Sequence, residues 1–198
     1  MDLINALILT FTPLFVAIDA IGNVPIVLSL SSEMGKAERQ RLVNIALMTA
    51  GLVGLIFLLV GRFVLRLLNI EIYHFAVGGG LVLFILSVRD LATGKMVDVP
   101  SKEEMLAVVP LGTPITVGPA TLTTLIVLAD SYNLWLVLTS FTLNMAATWV
   151  IFHQANTIGR FMGQGGLKAF SKVMSLLLAA IAVRIIIGGL KGLFPGQP

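Results

Sequence analysis

Six long apolar runs dominate this sequence and constrain its fold more than any other feature. A membrane-spanning helix needs about 20 mostly apolar residues, and such runs occupy residues 3–31, 40–61, 73–91, 104–129, 134–155 and 173–193. Only 12% of the residues are charged and 57% are apolar, whereas a soluble domain averages about 25% and about 45–50%. The runs are also continuous, unlike the alternating segments of about ten residues in a membrane β-barrel. The sequence therefore predicts an all-α membrane protein with six transmembrane helices.

The basic residues between these runs predict the orientation of the chain. Nine Lys and Arg residues lie in the loops on one side of the predicted bundle and three lie on the other. Because cytoplasmic loops carry the excess of Lys and Arg, we expect both termini outside a cell inner (plasma) membrane. The basic residues are dispersed between apolar runs and form no patch, so the expected partner is the lipid bilayer and not nucleic acid.

A weak internal similarity relates the two halves of the chain. At an offset of 94 residues, 19–25 aligns with 113–119, which places Pro25 on Pro119. Each half, 1–97 and 98–198, contains three predicted spans, and an odd number makes the halves cross the membrane in opposite senses. The sequence thus predicts a single integral membrane domain, 1–198, built from two inverted three-helix repeats. This architecture is common among secondary transporters.

The first span of each half contains residues that interrupt a helix, namely Gly22, Asn23 and Pro25 in one half and Pro110, Gly112, Pro114, Gly118 and Pro119 in the other. Proline inside a helix costs about 3 kcal/mol or more, and exposed backbone is tolerated in a membrane only where protein or a watery cavity covers it. We therefore predict that both helices break near the middle of the bilayer and restart. Asn23 is expected to cap one restart, with Pro25 in its first turn, and Gly118-Pro119 to open the other.

Asp19, next to the first break, is the strongest candidate for a functional residue. A buried acid costs about 2.5–3.5 kcal/mol in a membrane; it could bind Na⁺, carry a proton or hold an ammonium group, or only accept N–H groups of the restarting helix. Each restart directs a helix N-terminus, equivalent to about +0.5 charge, at the break, which suits a carboxylate. The predicted substrate- and ion-binding set, which matches an amino-acid zwitterion, is Asp19, Gly22, Asn23, Pro25, Thr113, Pro114, Thr116, Gly118 and Pro119.

Two further polar residues form a second tier. Asn144, in the fifth span, could line the cavity or only bond across helices. Arg184, in the last span, could extend to the membrane interface or pair with Asp19.

The same residues resemble those of the MarC family of bacterial and archaeal inner-membrane proteins over essentially the whole chain. The family signature Asp-Pro-Ile-Gly-Asn-x-Pro is similar to residues 19–25, and a Glu-Glu pair followed by Val-Pro-Leu-x-Thr-Pro-x-x-x-Gly-Pro is similar to 103–119. A third signature resembles 180–190. The sequence departs from the pattern at Ala20, where proline is usual, and at Arg184, where Gln is common. The resemblance implies a transporter of small neutral amino acids such as glycine and alanine, driven by a cation gradient.

Other classes of function are less well supported by the sequence. The chain has no cysteine, no H-E-x-x-H or G-x-S-x-G motif and no paired Asp within the predicted spans, so we expect neither an enzyme nor a metal site. No cofactor is expected apart from Na⁺ as a coupling ion. An exporter of drugs or metabolites and a passive channel remain alternatives. The sequence Gly188-x-x-x-Gly192 is a weak motif for a homo-oligomer.

Overall fold

A computed structural model describes residues 2–31, 34–93 and 116–194. These residues form helices, with no strand among them. The helices are α1 (Leu3–Ile18), α2 (Val24–Leu30), α3 (Lys36–Leu67), α4 (Ile72–Thr93), α5 (Pro119–Ser131), α6 (Leu134–His153) and α7 (Ala155–Leu193).

Four of these helices, α3, α4, α6 and α7, are long and apolar enough to cross a membrane, while α1 and α5 are shorter apolar helices. The prediction of an all-α membrane protein is therefore confirmed. Residues 104–115 of the predicted span 104–129 lie outside the described residues, so the six-span count and the inverted repeats 1–97 and 98–198 stay predictions.

The first predicted span, 3–31, is broken where the sequence indicates. Helix α1 ends at Ile18, and Asp19 follows with left-handed backbone angles (φ 44°, ψ 53°) that stop the helix. Helix α2 begins at Val24, with Pro25 in its first turn. Pro25 suits this position because the first turn of a helix does not use its N–H groups in helical hydrogen bonds.

The predicted cap of α2 is wrong in one respect. Asn23 precedes the helix, but its side chain makes no capping bond; the amide Nδ2 instead donates to the carbonyl of Ile18, at 3.0 Å. Asn23 therefore satisfies the last turn of α1 rather than the first turn of α2. An unpaired carbonyl at a buried helix end is costly, which is the physical reason for this choice.

The second predicted restart agrees with the structure. Gly118 is the extended residue before α5 (φ −91°, ψ −170°), and Pro119 is the first helical residue. Helix α5 continues for 13 residues to Ser131. At its far end, Asp130 forms an ion pair with Arg62 of α3.

The segment 156–172, which the charge pattern predicts as a loop, is helical. It belongs to α7, whose only described interruption is Gly163, with non-helical angles (φ 60°, ψ 174°). The prediction fails because this segment packs on the rest of the protein: Ala155 and Leu167 are buried with Val24 and Val27 of α2. Tertiary burial here outweighs the low helix propensity of a glycine-rich stretch.

Helices α4 and α7 form the closest antiparallel pair, and glycine permits their approach. A Cβ on Gly80 would lie 3.2 Å from the carbonyl oxygen of Ala182, and one on Gly189 would lie 2.9 Å from that of Tyr73. Gly192, half of the predicted oligomer motif, instead faces the ring of Tyr73 within the chain. The candidate site lies against this pair of helices, since α4 packs on α5 and α7 packs on α1.

Candidate functional site

Asp19 is buried at the break between α1 and α2, with 3% of its surface exposed. Its Oδ1 accepts a hydrogen bond from the N–H of Gly22, at 3.1 Å. Its Oδ2 is buried and has no partner in the part of the chain that the structure describes. One carboxylate oxygen therefore accepts a backbone N–H and stabilises the turn, which is one of the roles predicted for Asp19. The other oxygen is available to contact a ligand.

Gly22 lies in direct contact with this carboxylate. A Cβ built on Gly22 would be 2.0 Å from Oδ2 of Asp19, far inside the ordinary contact distance of about 3.5 Å. Any side chain at this position would displace the carboxylate. The requirement for glycine is thus steric, because the backbone of Gly22 has no positive φ.

The beginning of α5 lies beside the end of α1. The hydroxyl of Thr121, in the first turn of α5, donates to the carbonyl of Thr116 at 3.1 Å and lies 3.4 Å from the carbonyl of Ala17 in α1. Thr116, Val117 and Thr121 are buried at this contact. The carbonyl end of one interrupted segment therefore meets the N–H end of the other.

Gly118, the residue before α5, has no side chain that could cap the N-terminus of this helix. A helix of this length carries about +0.5 charge at its first N–H groups, and carboxylates bind well to such ends. A Cβ on Gly118 would meet no described atom within 4 Å. The α5 terminus thus has both the polarity and, at Gly118, the local space for an anionic group.

The predicted site set is brought together in part. Asp19 and Gly22 are in contact, Asn23 bonds to the end of α1, and Pro25 lies in the first turn of α2. Thr116, Gly118 and Pro119 form the entry to α5. Thr113 and Pro114 lie outside the described residues. Helix α2 has only seven residues, so its N-terminus offers a weaker positive end than α5 does.

Asn144 bonds across helices, one of its two predicted roles. Its Nδ2 donates to the carbonyl of Phe11 in α1 at 3.2 Å and to that of Ser140 at 2.8 Å. The hydroxyls of Ser140 and Thr10 are 2.6 Å apart at the same interface. Asn144 also keeps a buried Oδ1 without a described partner, so the seam between α1 and α6 is polar as well as close-packed.

Arg184 is exposed and forms no described ion pair with Asp19. It lines a cavity of about 270 Å³ between α1, α4, α5 and α7, together with Asp130 and Tyr132. Asp130 and Tyr132 lie at the end of α5 opposite the break. The predicted alternative of a pair between Arg184 and Asp19 is therefore not observed.

Sequence reasoning missed Asp90. This residue of α4 is 2% exposed, and its Oδ2 accepts a hydrogen bond from the fully buried hydroxyl of Ser175 in α7. Asp90 lies in the predicted span 73–91, so it is a second buried acid in addition to Asp19 of the span 3–31, which corrects the expectation that the spans contain no pair of acids. The sequence feature that could have indicated its burial is helical periodicity, because Leu83, Ser87 and Asp90 lie on one face of α4 and all three are buried.

Comparison with known proteins places the chain in a family. A model described as "MarC family integral membrane protein" matches residues 4–194. The chain belongs to the MarC family. Its relatives include the UPF0056 membrane protein MJ0972 of Methanocaldococcus jannaschii, 32% identical over 98% of this chain and 90% of that protein. The UPF0056 inner membrane protein YhgN of Escherichia coli K12 is 28% identical over 94% of this chain and 97% of its own length. No solved structure matches the chain.

Membership of this family agrees with the structure at the level of a membrane protein built from apolar helices. The match covers α1, the break at Asp19, the entry to α5 and Asp90. The candidate site therefore lies within the part of the chain that carries the MarC similarity.

Proposed function

We propose that this MarC-family protein is a secondary transporter of small neutral amino acids of the glycine and alanine type. The proposal places it in the inner membrane, with both termini outside, and couples transport to a gradient of Na⁺ or H⁺. The observation that carries it is the buried Oδ2 of Asp19, which has no partner among the described residues, at the end of α1 that meets the N-terminus of α5.

These two features are complementary to an amino-acid zwitterion. The free carboxylate oxygen and the carbonyl end of α1 attract an ammonium group, and the N–H end of α5 attracts a carboxylate. A small side chain suits the site because Val16, Ala17 and Val117, which adjoin the junction in the sequence, are buried apolar residues. In other transporters, the ends of interrupted helices near the middle of the bilayer bind substrates and ions. The binding of a zwitterion by two helix ends therefore has precedents.

Flux through the purified protein in liposomes tests the proposal. Labelled glycine or alanine is expected to accumulate when an inward gradient of Na⁺ or H⁺ is imposed. Asp19→Asn should reduce the initial rate by about tenfold or more, because a hydrogen bond to a charged group contributes about 1.5–3 kcal/mol. The matched control is Glu71→Gln, which removes an exposed acid between α3 and α4 and should leave flux unchanged.

Three results would contradict the proposal. The first is that neither amino acid moves under any imposed gradient, and the second is that Asp19→Asn transports at the wild-type rate. The third is a flux that is independent of the gradient and far faster than a transporter cycle. The third result would indicate a channel. Protection from drugs without amino-acid flux, measured in cells that carry or lack the protein, would instead indicate an exporter.

A further inference from the structure

Asp19 and Asp90 are the only charged residues that are buried among the described residues. Asp19 is 3% exposed and Asp90 is 2% exposed, and no Lys, Arg or His accompanies them in the buried set. An isolated buried carboxylate is strongly disfavoured unless a positive charge or a proton compensates it. Val16 and Ala17, in the turn before Asp19, are buried in one cluster with Leu83 of α4 and Leu178 of α7, the two helices that carry Asp90 and Ser175. Both acids therefore belong to the same junction of α1, α4 and α7, where a cation would compensate them.

Asp90 is positioned by the rigid contact between α4 and α7. The hydroxyl of Ser175 donates to Asp90 Oδ2 and also lies 2.9 Å from the carbonyl of Ser171. A hydroxyl has one proton and two acceptor lone pairs. If Ser175 donates only to Ser171, its oxygen can join Asp90 in binding a cation, without any movement of the helices.

A second observation points to a ligand at this place. Asp19 Oδ2 is buried and has no described hydrogen-bond partner, although buried polar atoms almost always have one. Asp19 also follows the last turn of α1, and the carbonyl end of this helix adds further negative potential. The unpartnered oxygen and the second carboxylate thus lie in one negative region of the interior.

We propose that Asp90 and Ser175 complete a Na⁺ site together with Asp19, the one member of the three that the sequence indicates. All the groups concerned are hard oxygen donors, the ligand type that alkali and alkaline-earth cations prefer over nitrogen and sulfur. A proton would need only one carboxylate and would have no use for the hydroxyl of Ser175. The arrangement therefore favours a metal cation over a proton.

This inference rests on the proposed function for its physiological meaning, since it identifies the coupling ion. Two carboxylates carry two negative charges, and one Na⁺ leaves a single negative charge for the ammonium group of the substrate. Na⁺ also weakens the repulsion between Asp19 and the substrate carboxylate. Each ligand then raises the affinity for the other by the same factor, which is the requirement for coupled transport.

The experiment measures Na⁺ binding to the purified full-length chain without any amino acid. Thermal unfolding is followed as NaCl replaces choline chloride at constant ionic strength and pH, and calorimetric titration gives the Kd. The midpoint of wild-type unfolding should rise with the Na⁺ concentration. Ser175→Ala should weaken Na⁺ binding by about tenfold or more, Asp90→Asn should abolish it, and Ser175→Thr should restore it.

The matched control is Ser140→Ala, which removes another fully buried serine hydroxyl, paired with Thr10 in the seam between α1 and α6. This variant should keep the wild-type response to Na⁺ even if it unfolds at a lower temperature. Because Ser175→Ala keeps both carboxylates, it tests the site even if Asp90→Asn does not fold.

The results separate this inference from the proposed function. Equal stability in Na⁺ and choline, stabilisation by protons alone, or wild-type Na⁺ affinity in Ser175→Ala would overturn the Na⁺ site. Glycine flux driven by a proton gradient would then still support the transporter. Na⁺ binding that depends on Asp90 and Ser175, in a protein that moves no amino acid, would support the site and overturn the proposed function.

Discussion

Replacement of Gly22 by alanine is the most informative change at the break between α1 and α2. The new Cβ would lie 2.0 Å from Oδ2, 2.6 Å from Cγ and 2.7 Å from Oδ1 of Asp19. The carboxylate must therefore move by about 1.5 Å to regain an ordinary contact distance. That movement would lengthen the 3.1 Å bond from Gly22 to Oδ1 beyond hydrogen-bonding range.

The structure gives the size of the effect. Insertion of a methyl group into a packed interior costs about 1–3 kcal/mol, and loss of a hydrogen bond to a charged group costs about 1.5–3 kcal/mol. Because rotation of Asp19 relieves part of both, we expect Gly22→Ala to lower the free energy of unfolding by about 2–4 kcal/mol. We also expect glycine flux in liposomes to be lost, since the displaced oxygens no longer face the ligand.

Denaturant unfolding and liposome flux, measured on the same preparation, provide the assay. The matched control is Gly78→Ala in α4, where the new Cβ meets no described atom within 4 Å; alanine should stabilise this helix by about 0.5–1 kcal/mol. If Gly22→Ala unfolds like the control and transports glycine at the wild-type rate, the close contact with Asp19 has no role in structure or function.

Two further predictions concern the packing that holds the site. Gly189→Ala should destabilise the protein by about 1–3 kcal/mol, because its Cβ would lie 2.8 Å from Val77 Cγ2 and 2.9 Å from the carbonyl oxygen of Tyr73. Gly188→Ala should not, since that Cβ meets nothing described within 4 Å; equal unfolding midpoints would refute the close packing of α4 and α7. Asn144→Ala should lower the free energy of unfolding by about 1–3 kcal/mol, because it removes the hydrogen bonds to the carbonyls of Phe11 and Ser140. The control Thr142→Ala changes an exposed residue of the same helix and should unfold like wild type. A loss of stability confined to Thr142→Ala would exclude the polar seam.

The break positions could be predicted from sequence because their causes are local. Proline and glycine limit helix formation within a few residues of where they occur, so the restarts at Pro25 and Pro119 follow from the sequence directly. The sequence predicts several roles for Asp19 and does not decide between them. In the structure, the N–H of Gly22 donates to one carboxylate oxygen of Asp19, and the other oxygen has no described partner.

The remaining features depend on contacts between distant parts of the chain. Asn23 bonds to Ile18 rather than capping α2, since the end of α1 is buried beside it. Residues 156–172 are helical because they pack on α2. Asp90 is next to Arg89 near the end of a predicted span, and the sequence gives no indication that Ser175, 85 residues away, donates to it.

A single cysteine at the junction of the two interrupted segments tests the central claim most directly. The natural chain contains no cysteine, so Gly118→Cys, where space is open, would be the only thiol that reacts with a small water-soluble maleimide. Saturating glycine should slow its labelling several-fold and should not affect Ser131→Cys, at the exposed far end of α5. If glycine leaves the labelling rate of Gly118→Cys unchanged, no amino acid binds where α5 meets the end of α1.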